Sequence, residues 1–253
     1  MPLFKPYPPM PDRLAGQAHW WATPQGAYLW RHESALSEAW LERCFGYHAA
    51  LAGSCACLSK GLPGLRIPHQ FSLGMQAADV LARTDALPLA AESVDLVLLH
   101  HVLEYADDPH QVLREVDRVL VPEGHILLMT FNPLGAWGIR SLFNPKRRAP
   151  WHGRRLGRKR LHDWLGLLGY DIEAEGWAGH GSLSQNHRGE GGMLERWGAR
   201  FWPVLGMAHV MLARKRVSLP APIRHRWRLM PVLGVPERAS AQNRMGKIDG
   251  REL

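Results

Sequence analysis

A strand–helix–strand pattern between Thr84 and Pro133 constrains the fold of this 253-residue chain more than any other feature. The near-continuous apolar run at 94–99, VDLVLL, is typical of a strand buried on both faces. Residues 109–120 repeat apolar side chains at three- and four-residue steps, which predicts a helix with one buried face. A second apolar strand follows at 125–131. Two strands joined so closely by one helix are predicted to pair in parallel through a right-handed crossover.

Local signals mark the ends of this unit. Asp107 or Asp108 is predicted to cap the helix, and Pro109 fits its first turn because a proline there loses no hydrogen bond. The sequence Pro122-Glu123-Gly124 predicts a turn before the second strand, since proline presets φ and glycine is conformationally permissive. These signals fix the order of the elements.

Weaker patterns extend the same alternation of strands and helices along the chain. Before the central unit we predict a helix and three strands, at Glu33 to Phe45, Tyr47 to Ala52, Ile67 to Leu73 and Val80 to Ala82. An aromatic stretch from Trp20 to Trp30, broken by Gly26, precedes that helix. After the central unit we predict a helix, a strand and a last strand, at Leu161 to Leu168, Tyr170 to Ala174 and within Val204 to Lys215. A Gly- and Ser-rich segment from Gly176 to Gly192 has no apolar periodicity.

Length and composition favour one core with tails. A hydrophobic content of 46% over this length supplies a single sizeable core. We expect a proline-rich arm at 1–18, one domain at 19–217 and a basic, disordered tail at 218–253. No apolar run approaches the length of a membrane span, and the first residues lack a signal-peptide pattern, so we expect a cytoplasmic protein without membrane contact.

Four short motifs carry a resemblance to a known family. They are DALP at 85–88, SVDLV at 93–97, LEYADDP at 103–109 and LREVDRVLVPEG at 113–124. In this order they resemble the core of the class I S-adenosylmethionine-dependent methyltransferases, within a group of short bacterial proteins. The resemblance implies an α/β, Rossmann-like sheet of seven mostly parallel strands, with helices on both faces and the last strand antiparallel. It also implies S-adenosylmethionine as cofactor and methyl transfer to an acceptor that the sequence does not identify.

The resemblance assigns roles to particular residues. Gly53 matches the first glycine of the family's cofactor loop, and Asp85 matches the acid that accepts a hydrogen bond from the adenine amino group. The adjoining Ala86 and Leu87 would line the adenine site through their backbone. His100 and His101 follow the fourth strand at the edge where parallel sheets bind ligands. His100 is expected to contact the cofactor through its backbone, and His101 is either a polar loop residue or a general base.

Two positions depart from the family pattern. Cys55 and Cys57 stand where further glycines are usual, and Ser72, Leu73 and Gly74 stand where an acid usually binds the ribose. These departures keep an alternative open, a degenerate methyltransferase-like protein that binds or regulates without turnover. Its partner would be nucleic acid, contacted through the basic segment Lys146 to Arg160.

Other functional classes have less support. A nicotinamide-dependent oxidoreductase would need G-x-G-x-x-G and an acid about twenty residues later, and both are missing. The three cysteines, Cys44, Cys55 and Cys57, form no disulfide framework and have no second ligand pair at metal-binding spacing, so we predict no metal site. The sequence does not predict the oligomeric state.

Overall fold

A computed structural model of the chain describes residues 17–53, 58, 60–75, 78–135, 138, 153–180 and 205–216. The chain divides into two units, residues 1–217 and 218–253, and every described residue belongs to the first. Several predicted features lie outside the described residues. They are the arm before Gln17, Cys55 and Cys57, Trp137, the basic segment before Gly153, the Gly-rich segment beyond His180 and the tail.

The described residues form one seven-stranded sheet in the order β3-β2-β1-β4-β5-β7-β6. The strands are β1 (His48–Gly53), β2 (His69–Gly74), β3 (Val80–Leu81), β4 (Val94–His100), β5 (Leu120–Phe131), β6 (Tyr170–Ala178) and β7 (Ala208–Lys215). The five strands β1 to β5 pair in parallel, whereas β7 runs antiparallel to both of its neighbours. The predicted fold, a mostly parallel Rossmann-like sheet with an antiparallel last strand, is confirmed.

The helix of the central unit forms as predicted. It spans Pro109–Val119 and is called α2 here, because a longer helix precedes it. Asp108 is the capping residue, and its Oδ1 accepts hydrogen bonds from the backbone N–H groups of His110 and Gln111, at 2.9 and 3.1 Å. The predicted turn at 122–124 does not mark the start of the second strand, so this part of the prediction is wrong. Strand β5 begins at Leu120, and the turn residues form an irregularity within it, where Glu123 has a φ of +63°. The pairing with β4 shifts there, from Val94 opposite Leu120 to Leu96 opposite His125.

The first described long helix, α1 (Pro24–Leu41), begins nine residues before the predicted start. Thr23 caps it, since its Oγ1 accepts a hydrogen bond from the Gly26 N–H, and Pro24 takes the first turn. The expected break at Gly26 is wrong because a short helical segment, residues 17–21, packs against this turn. A Cβ atom at Gly26 would lie 2.5 Å from the Trp20 carbonyl oxygen. Close packing, and not a change of chain direction, requires the glycine.

Helices cover both faces of the sheet. On one face, α1 packs through Leu29 and Leu41 onto alternate residues of β1, β4 and β5, such as Leu51 and Leu98. On the other face, α2 and a third helix, α3 (Arg158–Leu167), pack onto the intervening residues of the same strands. The alternation follows from the strand period of two. No helix among the described residues has the length and apolar content that a membrane crossing requires.

Candidate functional site

Two strands meet at the carboxyl edge of the sheet, where the sequence placed the ligand site. Gly53, the last residue of β1, pairs with His100, the last residue of β4. A Cβ atom on Gly53 would lie 2.9 Å from the His100 carbonyl oxygen and 3.0 Å from the His100 Cβ. Only glycine therefore fits at this position without displacing the end of β4. The structure brings together these two predicted site residues.

A cluster of four buried polar side chains, here called the Glu–His cluster, lies beside this strand end. It consists of Glu33, His100, His101 and Glu104. The two oxygens of Glu33 contact the two histidines, with Oε2 3.2 Å from His100 Nε2 and Oε1 2.7 Å from His101 Nε2. His101 Nδ1 lies 3.2 Å from Glu104 Oε1. His101 is thus held between two carboxylates that come from different parts of the chain.

Backbone geometry fixes His101 in this position. Its φ of +52° is in the left-handed region, which residues other than glycine seldom adopt. The strain is offset by hydrogen bonds on both sides of the residue. The His101 N–H donates to the Met129 carbonyl at 2.8 Å, and the His101 carbonyl accepts from Gln17 Nε2 at 2.9 Å. These hydrogen bonds hold His101 in a backbone conformation in which its side chain is buried at the sheet edge.

Glu104 is held as firmly as His101. Its Oε1 accepts a second hydrogen bond, at 2.7 Å, from the backbone N–H of Phe131 at the end of β5. Its Oε2 is buried and has no hydrogen-bond partner among the described residues. The Glu104 carboxylate therefore links the end of β5 to His101 through Oε1, and Oε2 takes no part in this link.

Aromatic side chains cover the Glu–His cluster. The Trp21 ring lies 4.4 Å from the His100 ring and 5.0 Å from the His101 ring, measured between centroids. Trp30 meets His100 edge-on at 5.1 Å, and Phe131 lies 3.9 Å from His101. Side chains of Glu33, His100 and His101 have no solvent exposure. The cluster is dry, so its charges interact strongly.

Burial and pairing set the protonation of the cluster. Burial raises the pKa of Glu33, but His101 and His100 outweigh this and lower that pKa to about 2. Burial lowers the pKa of His101, but Glu33 and Glu104 outweigh this and raise that pKa to about 9. Burial also lowers the pKa of His100, and the hydrogen bond that His100 donates to Glu33 only partly opposes this. At neutral pH the cluster holds an ionised Glu33, a protonated His101 and a neutral His100.

The predicted role of His101 as general base is not tested by this arrangement and stays a prediction. Both ring nitrogens face carboxylates, and the ring is enclosed by Trp21 and Phe131. A base needs a free nitrogen within hydrogen-bond reach of its substrate. In the described arrangement His101 instead acts as the centre of an ion-pair network.

The predicted adenine site lies in the turn after β3. Both oxygens of Asp85 accept hydrogen bonds from Arg83, at 2.9 and 2.6 Å, and this pairing lowers the pKa of Asp85. The Ala86 N–H donates to the Arg83 carbonyl at 3.2 Å, and the Leu87 N–H donates to Glu115 Oε2 at 3.0 Å. The turn is therefore well ordered, while the Asp85 side chain keeps 21% of its surface exposed.

An acid does lie beside β2, although the sequence placed none at its end. Asp79, just before β3, accepts hydrogen bonds at its Oδ2 from the Ser72 N–H at 2.8 Å and the Ser72 hydroxyl at 2.7 Å. These bonds lower the pKa of Asp79. The carboxylate thus joins β2 to β3.

Sequence reasoning missed Glu33, which is the hub of the Glu–His cluster. It was assigned to the start of a helix, and 67 residues separate it from His100. No motif spacing connects them, because α1 brings Glu33 to β4 only by packing across the sheet. A weak signal was present, because Glu33 is the one charged residue on a helix face that otherwise buries glycine, serine and leucine.

Part of the predicted nucleic-acid surface is already paired. Arg158 forms a two-pronged ion pair with Glu175, which also contacts His162. Arg154 donates from its backbone N–H to the Glu104 carbonyl and from its guanidinium to the Asp107 carbonyl, both at 2.7 Å. These two arginines therefore hold the protein's own structure together.

Comparison with known proteins agrees with the fold and the central motifs. Residues 68–128 match the family model described as a methyltransferase domain. The uncharacterized protein YafS of Escherichia coli is 28% identical over 216 residues, covering 82% of this chain and 84% of that protein. A malonyl-[acyl-carrier protein] O-methyltransferase of Methylovorus is 41% identical over 54 residues, or 21% of this chain and 18% of that protein.

A solved structure extends the likeness to most of the chain. The structure of an S-adenosylmethionine-dependent methyltransferase from Thermotoga maritima, described as a possible histamine N-methyltransferase, has a TM-score of 0.59 at 16% identity. The likeness covers 82% of this chain and 99% of that one. At this identity it shows the fold alone. The resemblance to class I S-adenosylmethionine-dependent methyltransferases is confirmed by the matched domain and the shared fold.

Proposed function

From a chain with the class I methyltransferase fold and a matching methyltransferase domain, we propose an enzyme that transfers the methyl group of S-adenosylmethionine to an acceptor. The observation that carries the proposal is the position of three predicted cofactor residues. Gly53 ends β1, His100 ends β4, and Asp85 follows β3. These strands all run in parallel in one sheet, so their carboxyl ends share an edge.

The described residues fit the adenosine part of such a cofactor. Each oxygen of the Asp85 carboxylate accepts one hydrogen bond from Arg83. Since a carboxylate oxygen has two lone pairs, Asp85 retains the capacity to accept a further bond from an adenine amino group. Its partial exposure leaves room for that contact.

The chemistry requires little from the protein beyond positioning. Bound S-adenosylmethionine would supply a methyl group that is already activated by its sulfonium. The chain would hold the donor at the sheet edge, orient the acceptor in line and exclude water. Gly53 permits close approach of the backbone at β1, and the His100 carbonyl lies directly beside it. A fixed acid–base pair is therefore not a requirement of the proposal.

Calorimetry with S-adenosylmethionine tests the proposal. We expect wild-type protein to bind it, and Asp85→Ala to weaken binding by about tenfold, the loss of one charge-assisted hydrogen bond. Asp171→Ala is the matched control, because Asp171 is also an aspartate paired with an arginine, Arg216, at 2.6 Å. The control should bind like wild type.

A negative result has a clear meaning. Folded wild-type protein that does not bind S-adenosylmethionine would contradict the proposal. Equal losses in Asp85→Ala and Asp171→Ala would contradict the adenine site at Asp85. Binding that persists, together with release of S-adenosylhomocysteine when acceptor fractions are added, would establish transfer and identify the acceptor.

A further inference from the structure

We propose that Glu33, His100 and His101 form a binding site for one divalent transition-metal cation, at the carboxyl edge of β4. This inference goes beyond methyl transfer and does not depend on it. The sequence analysis predicted no metal site because the cysteines lack a second ligand pair. A Glu on α1 and a His pair at the end of β4 have no recognisable ligand spacing either. The site exists only where the fold joins these elements.

The donor atoms have the spacing that a metal ion needs. One ligand atom from each of the three residues lies within 4.8 Å of the other two. Both histidines present Nε2 to Glu33, at 3.2 and 2.7 Å from its two oxygens. Ligands bound about 2.0–2.2 Å from a tetrahedral Zn²⁺ lie about 3.3 Å from one another, so small side-chain shifts suffice.

The donor types select the class of metal. Two imidazoles and one carboxylate suit zinc and the other late divalent transition metals, whereas magnesium and calcium prefer oxygen ligands. We therefore take Zn²⁺ as the probe.

A second carboxylate occupies the position expected outside the ligand shell. Histidines that bind metals almost always donate their other ring N–H to a carboxylate or carbonyl, which fixes the ring. His101 Nδ1 faces Glu104 Oε1 at 3.2 Å, and the Phe131 N–H holds that oxygen in place. The arrangement Glu104, His101, metal reproduces this pattern. The contact between His101 and Glu104 is an observation separate from the spacing of the three donor atoms.

The burial of two carboxylates in the cluster also favours a bound cation. Two carboxylates, Glu33 and Glu104, are sequestered in the cluster with almost no solvent exposure. Uncompensated charge in such a place is costly. A divalent cation bound by neutral imidazoles would take the place of the imidazolium proton between the two carboxylates and would carry one more positive charge. The buried Oε2 of Glu104, which has no hydrogen-bond partner among the described residues, is a further oxygen close to the same side chains.

The cation would join parts of the chain that meet only in the folded state. Glu33 belongs to α1, and the histidines end β4 next to Gly53. Metal binding would therefore stabilise the sheet edge at which the cofactor is proposed to bind. The expected role is structural, because the donors are enclosed and have no exposed surface.

The test is zinc binding by the full-length protein, measured without any methyltransferase assay. Protein is unfolded with a chelator, refolded without metal, and titrated with Zn²⁺ against a competing colorimetric chelator. We expect one equivalent bound, a rise in melting temperature, and no such rise with Mg²⁺. Refolding in Zn²⁺ followed by desalting should retain the ion in the buried site.

Variants assign the ligands. Glu33→Gln and His100→Gln should each weaken zinc binding by more than tenfold, and Glu104→Gln, which removes only the orienting group, by about ten- to hundredfold. His209→Gln is the matched control, because His209 is a buried histidine outside the cluster. It should bind zinc like wild type. Cys55→Ser with Cys57→Ser should do the same.

Cobalt substitution distinguishes the ligand types even where a cluster variant fails to fold. Co²⁺ in the wild-type protein should show visible bands of nitrogen and oxygen ligation without thiolate charge-transfer bands. Folded wild-type protein that binds no zinc would overturn the proposal. Thiolate bands, loss of binding in the cysteine variant, or full binding by folded Glu33→Gln would overturn it equally.

Discussion

Glu33 Oε1 lies 2.7 Å from His101 Nε2, although 68 residues separate the two in sequence, and both side chains are fully buried. The contact joins the middle of α1 to the residue that follows β4. Because removing one partner of a buried ion pair leaves an uncompensated charge, the pair favours the position of α1 in which Glu33 meets His101. The carboxyl edge of the sheet is thereby built by the helix as well as by the strands.

Replacing Glu33 by Gln should lower the free energy of unfolding by about 3 kcal/mol, because a buried imidazolium loses the nearer of its two carboxylate partners. Urea unfolding at neutral pH in the presence of a chelator measures the change without metal. Glu38→Gln in the same helix is the control, since Glu38 is exposed, and it should change stability little. Equal effects of the two substitutions would show that the buried pair contributes nothing specific.

His209 should contribute to a fall in stability as the pH is lowered from about 6.5 to about 4. Burial lowers the pKa of His209 to about 4, and the nearby Glu175 only partly opposes this. The unfolded chain takes up a proton at about 6.5, before the folded state does, so acid favours unfolding by up to about 3 kcal/mol over this window. Above about pH 6.5, the neutral His209 makes its full contribution to stability.

The His209→Gln variant should remove much of this pH dependence. Unfolding free energies measured in urea at several pH values test the slope, with the exposed His110→Gln as control. Glu175, whose pKa is lowered to about 2, adds its own loss of stability only below about 4.5. An unchanged slope in His209→Gln between pH 6.5 and 4.5 would contradict the assignment.

Two glycine-to-alanine substitutions should have opposite signs. Gly53→Ala places a Cβ 2.9 Å from the His100 carbonyl oxygen and 3.0 Å from Leu58 Cδ1, so we expect a loss of about 1–3 kcal/mol. Gly166 in α3 is exposed and has nothing within 4 Å of a Cβ atom, so Gly166→Ala should gain up to about 1 kcal/mol. Thermal unfolding of both variants checks the signs. A Gly53→Ala protein as stable as wild type would show that the ends of β1 and β4 can move apart to accommodate the added methyl group.

The cap of α2 should contribute measurably to stability. Asp108→Ala removes the acceptor for two backbone N–H groups and should cost about 1 kcal/mol. Asp108→Asn keeps a side-chain oxygen and should cost less, which separates capping from a general effect of mutation. Denaturant unfolding measures both. Equal losses in the two variants would indicate that the charge, and not the oxygen acceptor, carries the effect.

Patterns of local origin predicted the central unit well. The apolar run of β4, the amphipathic period of α2 and the pair Asp108-Pro109 each report on neighbouring residues, and the structure confirms all three. The prediction was wrong at α1 and at the start of β5. There, Gly26 and Glu123 have conformations set by packing against Trp20 and by strand pairing, which local propensity does not contain.

The sequence by itself determined the order of the elements, because that order follows from periodicity, turn chemistry and strand direction. Strand direction placed His100 at the carboxyl edge of the sheet, and the resemblance to the methyltransferase family assigned Gly53 and Asp85 to the same site. Only the tertiary structure decided that Glu33 reaches His100 and His101, and that Glu104 supports His101 from the other side. Contacts between residues far apart in sequence depend on how a helix docks on the sheet. That docking is fixed by the packing of both surfaces together, and no single segment encodes it.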